Sequence, residues 1–174
     1  MSLDLREMQR PLKERYRQDP ASARLIHSVQ TVPLLDDPLR SRVTIGTHTW
    51  DVAAHAMAGG PEGEACSGDV LLAALAACQE ITVKMVAAGM GIVLDDLHVI
   101  VTGEMDFRGT MGTDREVPVG YQRITCEIHV RAQADPMRVQ RMVEKAEQYC
   151  VVRDTLVRGV PVESRVLVEN TAST

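Results

Sequence analysis

Aromatic side chains are almost missing from this chain: one Phe, one Trp and three Tyr in 174 residues. Its core must be filled by Val, Leu, Ile, Ala and Met, and the apolar share of 45% is large enough for that. An excess of positive charge is missing too. The formal charge is -5 and the isoelectric point is near 5.5, whereas nucleic-acid binding favours a basic patch or stripe. No uninterrupted apolar run reaches the roughly 18 residues that span a bilayer. The opening MSLDLREMQRPLKERYRQDP mixes charges of both signs without the apolar stretch of a secretory signal. The expectation is a cytoplasmic protein with no nucleic-acid or membrane partner.

Several motifs are absent as well. No CxxC pair and no zinc-ribbon spacing occur. His48, His55 and Cys66 fit no HExxH pattern. GxSxG is missing, so a hydrolase nucleophile elbow has no support, and no Gly-rich phosphate loop follows a predicted strand. Neither a metal nor a bound cofactor is expected. The length suits one domain, read as an N-terminal arm over 1–35 and a single domain over 36–174.

The patterning predicts an α+β chain. Residues 1 to about 20 read as a polar helix or arm interrupted by Pro11 and Pro20. Residues 31–41 read as a linker. RVTIGTHTWDV (42–52) has the chemistry of one strand. SGDVLLAALAACQEITVKMVAAGMG (67–91) reads as a long buried helix. Ser67 suits its N-cap, Asp69 its first turn, and Gly89 or Gly91 its end. A helix apolar on most sides belongs in an interior. One about 30 Å long strains what a single small domain can bury, which points to a dimer with a shared core.

Beyond it, LDDLHVIVTGEMDF (94–107) and RITCEIHVRA (123–132) alternate as strands around a Gly- and Pro-containing loop. DPMRVQRMVEKAEQYC (135–150) reads as an amphipathic helix capped by Asp135, with Pro136 at its first position. A short helix is expected over 151–157 and a last strand over VESRVLVEN (162–170). The class is an antiparallel sheet covered by long helices.

Four cysteines carry the candidate chemistry. Cys78 sits within the apolar helix and Cys150 ends the amphipathic one. Two core-facing thiols suit attack on a peroxide oxygen and condensation to a disulfide. Spacing alone favours ordinary burial, because Cys is among the most buried residue types. Cys66, beside the helix start, is a loop thiol or an auxiliary to Cys78. Cys126, on the apolar face of a strand, reads as structural. Glu80 lies about 200° round the helix from Cys78, and Lys84 at i+4 is its natural partner.

SGDVLLAALAACQEITVKMVAAGMGI resembles the first signature of the OsmC/Ohr family, a small-residue helix of the form L-L-L-A-A-L-A-A-C followed by a Gly-Ile turn. AEQYCVVRDTLVRGVPVESRV resembles the second signature, with its cysteine and a later V-P-V. The resemblance covers about residues 40–170 and is nearest the OsmC-like branch. It implies an intertwined homodimer. It also implies a thiol peroxidase in which Cys78 forms a sulfenic acid on an organic hydroperoxide, Cys150 resolves it, and an external dithiol regenerates the pair. Auxiliary roles fall to Cys66, Asp69, Glu80 and Arg42. The alternative is a non-catalytic module on the same fold that binds a small molecule or senses redox state. Two departures stand out. Val151 follows Cys150 where the family usually has Pro, and Gly68 stands ten positions before Cys78 where the Ohr and classical OsmC branches place a Glu that pairs with an Arg.

Overall fold

The computed structural model describes residues 4–168. Helix α1 (Leu5–Gln18) leads into a short 3-10 turn at Pro20–Ala23. Strands β1 (Gln30–Pro33), β2 (Arg40–Ile45) and β3 (His48–Ala53) follow, then helix α2 (Ser67–Met90). Strand β4 (Leu94–Glu104), a helical turn α3 (Phe107–Thr110), strand β5 (Arg123–Ala132), α4 (Pro136–Glu147) and α5 (Val151–Arg158) complete the order. All strand pairings are antiparallel, in a β1-β2-β3 sheet and a separate β4-β5 pair.

The core lies where α2 crosses α4 and the inner face of β4-β5. Val83, Ala87, Ile92, Met142 and Ala146 form its centre, with Leu97, Ile128 and Val130 packed around them. Strict alternation puts these strand residues on one face. The register sets Leu97 opposite Val130 and Val99 opposite Ile128. Gly91 ends α2 with a left-handed φ of 64°, and the next amide, of Ile92, returns to the Ala87 carbonyl at 2.9 Å. That closure folds Ile92 back into the core, as in a Schellman end.

The β4, β5, α4 and α5 readings hold to within a few residues, and α2 is the long helix expected. Five local readings need correction. The cap of α2 is Cys66 rather than Ser67: the Cys66 amide donates to Asp69 at 2.8 Å, closing one half of a capping box. Helix α1 runs through Pro11, because the carbonyl deprived of its amide partner lies on an exposed helix and meets water. Residues 42–52 form a hairpin, reversed at Gly46 and Thr47 with φ of 58° at Gly46. The supposed linker contains β1, an edge strand whose last residue is Pro33, and there a missing amide is tolerated. This sheet begins before residue 36.

The fifth correction concerns the expected last strand. Residues 162–168 belong to no strand or helix and are exposed, with Val162 91% and Val166 82% accessible. Among the described residues no strand pairs with them. Residues 169–170 of that reading fall outside the described residues. The run-length argument on membranes also changes. By length and composition alone α2 is long and apolar enough to cross a bilayer; its charges Glu80 and Lys84 form an i,i+4 pair, and its inner face packs against the core.

Met142 is fully buried at the crossing of α4 on α2. Met142→Ala is expected to lower unfolding free energy by about 2–5 kcal/mol, read by urea denaturation. A loss below about 1 kcal/mol would mean that this seam does not carry the core.

Candidate functional site

Helices α2, α4 and α5 bring Cys78 and Cys150 together. Cys150 follows α4 and is the N-cap of α5, its sulfur accepting from the Arg153 amide at 3.4 Å. It is fully buried, while Cys78 is half-buried; both are free thiols. The two side chains lie close enough for each to act on the acidity of the other. The first turn of α5 points its unpaired amides at the Cys78 sulfur, as helix N-termini do toward anions.

These surroundings push the two thiols apart in acidity. Burial acts most strongly on Cys78 and raises its pKa, but the Val152 amide, the Cys150 thiol, the Thr82 hydroxyl and the Val151 amide together outweigh it. Its pKa falls below the ordinary thiol value. Cys150 moves the other way, up to about 11, first through burial and then through the partial charge of Cys78, against the opposing Arg153 amide. Cys78 is thus the more acidic of the two sulfurs, and Cys150 the one that holds its proton more tightly. The single Thr82 hydroxyl proton is shared between the Cys78 sulfur and the Cys78 carbonyl, 2.7 Å from the hydroxyl oxygen.

The Val151 departure takes on a meaning here. Pro at 151 has no amide proton to give; Val151 supplies one to Cys78. The Gly68 departure has a cause as well. A Cβ at residue 68 would lie 2.6 Å from the Tyr121 hydroxyl and 3.4 Å from the Cys66 sulfur, and a Cβ at Gly103 would lie 2.5 Å from the same ring. Tyr121 fills the slot that these two glycines leave open. An arginine–glutamate pair nevertheless exists. Arg40 grips Glu64 through two hydrogen bonds, the Nε–Oε2 one at 2.9 Å, and Asp37 at 2.6 Å. This pins the loop before α2 to β2.

The remaining predicted residues fall elsewhere. Arg42 makes a bidentate cross-strand pair with Asp51 at 2.8 and 2.9 Å and touches neither thiol, because its strand position faces the β3 neighbour. Asp69 serves the cap of α2, and the Cys66 amide holds its carboxyl below the usual range. Glu80 pairs with Lys84 along the helix. Cys66 is buried at the start of α2, next to the β3 end through an Ala53–Cys66 bridge. Cys126 sits on the inner face of β5, and burial raises its pKa. Among the described residues, no cluster of three His, Cys, Asp or Glu side chains is set to hold a metal.

Sequence reasoning missed Gln79, Thr82, Tyr121 and the first-turn amides of α5. Gln79 is fully buried, with neither side-chain amide atom hydrogen-bonded, at a cost of about 1–3 kcal/mol for each such group. It lies on the wall of a 440 Å³ cavity beside Cys126, Tyr121 and the Glu147–Arg153 pair. Its one visible signal was a polar residue inside an apolar helix.

Gly68→Glu is expected to cost about 1–3 kcal/mol of stability through overpacking, and less when combined with Tyr121→Ser. Urea denaturation of the four-member cycle reads the difference. An identical cost in both backgrounds would mean that the Tyr121 ring is not what closes position 68.

Comparison with known proteins agrees with this architecture. Residues 60–165 match the family described as OsmC-like protein. An OsmC-like protein from Mycoplasma pneumoniae superposes with a TM-score of 0.64 at 19% identity, covering 78% of this chain and 89% of that one. An organic hydroperoxide resistance protein OsmC from Legionella pneumophila gives 0.58 at 18% identity, covering 79% and 92%. One from Elizabethkingia anophelis gives 0.57 at 16%, covering 79% and 91%. No curated protein sequence matches the chain. With a mixed helical and antiparallel architecture that superposes on these structures and a family match over residues 60–165, more than half of its length, the chain belongs to the OsmC-like family.

Proposed function

We propose that this protein is a two-cysteine thiol peroxidase acting on organic hydroperoxides. The observation that carries the reading is Cys78 set beside Cys150 at the start of α5, whose first-turn amides offset the burial of the Cys78 sulfur. The thiolate of Cys78 attacks the terminal oxygen of R–O–O–H. The O–O bond breaks, the sulfur is oxidised to the sulfenic acid, and R–O⁻ takes a proton and leaves as the alcohol. The Cys150 sulfur then displaces the sulfenic hydroxyl. Its own proton leaves with that hydroxyl as water, and a disulfide forms. Two electrons and two protons from an external dithiol restore both thiols. A Cys150 that stays protonated until this step suits the sequence of events, because it donates to the thiolate first and to the departing oxygen afterwards.

The working unit in this reading is a homodimer. Its support is the apolar surface the single chain leaves in water, including Val162, Val166, Leu167 and Val168 on the unpaired C-terminal segment. Soluble monomers rarely leave such a run uncovered. Light scattering is expected to give twice the chain mass of 19.1 kDa; a monomer at micromolar concentration would oppose it.

Peroxide consumption tests the chemistry. Cys78→Ser is expected to abolish turnover with cumene hydroperoxide and dithiothreitol. Cys150→Ser is expected to consume one equivalent and stop, with a dimedone-reactive sulfenic acid on Cys78. Equal loss of the first turnover in both variants would overturn these roles and favour a non-catalytic binding module.

The acidity argument has its own test. Labelling of Cys78 by iodoacetamide is expected to reach half its maximal rate at a pH below that of an ordinary thiol. Cys150→Ala and Val151→Pro each remove a donor to the thiolate, so both are expected to move that midpoint upward. Pro suits the first position of a helix, so Val151→Pro keeps α5 intact. A midpoint that ignores both changes would contradict activation by these donors.

A further inference from the structure

Helix α1 lies outside the residues 60–165 that match the family, and it builds a cavity of its own. It is tied to α2 where the Arg6 guanidinium donates to the Gly89 carbonyl. Its apolar side chains do not close onto α2: Leu12 and Tyr16 remain 42% and 39% exposed. A slot of about 690 Å³ lies between α1, α2 and the end of α4. That volume is within the range of small-molecule sites. Leu12, Tyr16, Met85, Val86 and Met90 give it apolar walls. Water inside would find few partners there, so an alkyl chain is the better occupant.

The charges choose the head group. Arg6, Lys13 and Lys145 lie on this slot and no carboxylate does, in a chain whose net charge is -5. Lys13 and Lys145 make no ion pair among the described residues, whereas the neighbouring Glu14 and Glu144 are engaged by Arg17, Gln18 and Gln140. We propose that the slot between α1, α2 and α4 is a binding site for a long-chain carboxylate, its chain against Val86 and Met90 and its head group held by Lys13 and Lys145. Neither cysteine lines it, and Thr82 is the one residue it shares with the surroundings of Cys78.

The test uses the full chain and 11-(dansylamino)undecanoate below its micellar concentration, displaced by dodecanoate or by neutral decanol. Saturable binding of one probe per chain is expected, with the same affinity in Cys78→Ser. Reversing two attractions in Lys13→Glu/Lys145→Glu is expected to weaken dodecanoate by about tenfold or more, and decanol by less than about twofold because no charge is involved. Val86→Trp fills the slot and is expected to abolish displacement by both, with unchanged thermal unfolding. Should Val86→Trp fail to fold, the two surface lysines still decide the matter. Non-saturable binding, or equal losses of dodecanoate and decanol in the lysine variant, would overturn the proposal. So would binding seen only with phosphatidylglycerol vesicles, or a Val86→Trp chain that loses its oligomeric state while probe binding persists, since a membrane or a second copy would then be the occupant.

Discussion

Everything at the candidate site depends on one packing relation, the seating of the first turn of α5 against the middle of α2. A helix start carries amides with no partner inside the helix, and a buried thiolate carries a charge that burial penalises. Each defect is the remedy for the other. The Val151 and Val152 amides offset the burial of the Cys78 sulfur, and Cys150 caps the same helix beside it. Core residues Val83 and Met142 lie directly below and hold α2 against α4, whose end delivers Cys150. The chemistry therefore rests on an ordinary apolar seam that brings a helix terminus to a sulfur.

The two departures from the family pattern become parts of one local design. Val151 provides an amide that Pro lacks. Gly68 makes room for Tyr121, which occupies the space that a side chain at that position would need. The ion pair that fastens the loop before α2 is built from Arg40 and Glu64. In consequence the loop is anchored by charge at its start and by the Cys66–Asp69 cap at its end, which sets where the 24-residue α2 begins and hence which way Cys78 faces.

Much of this was legible in the residues. The alternation in 123–132 places Ile124, Cys126, Ile128 and Val130 on the inner face, as found. The apolar run around Cys78 and the i, i+3, i+4 spacing before Cys150 reveal both thiol-bearing helices. What stayed hidden has physical reasons. Residues 162–168 have strand chemistry, but a strand needs a partner, and among the described residues none pairs with them. The Gly46–Thr47 turn is too short to break the β-branched pattern of 42–52. The partners of Arg40 and Arg42 depend on register, which periodicity does not report. Backbone amides, the main activators of Cys78, are carried by every residue and so leave no mark in composition.

The most direct test of this account is to treat reduced protein with one equivalent of an organic hydroperoxide, block the remaining thiols and map the disulfides by mass. The account predicts rapid formation of a single Cys78–Cys150 bond, with Cys66 and Cys126 left as blocked thiols. Unmodified cysteines, or slow oxidation spread over all four, would contradict it and leave the fold without the peroxidase.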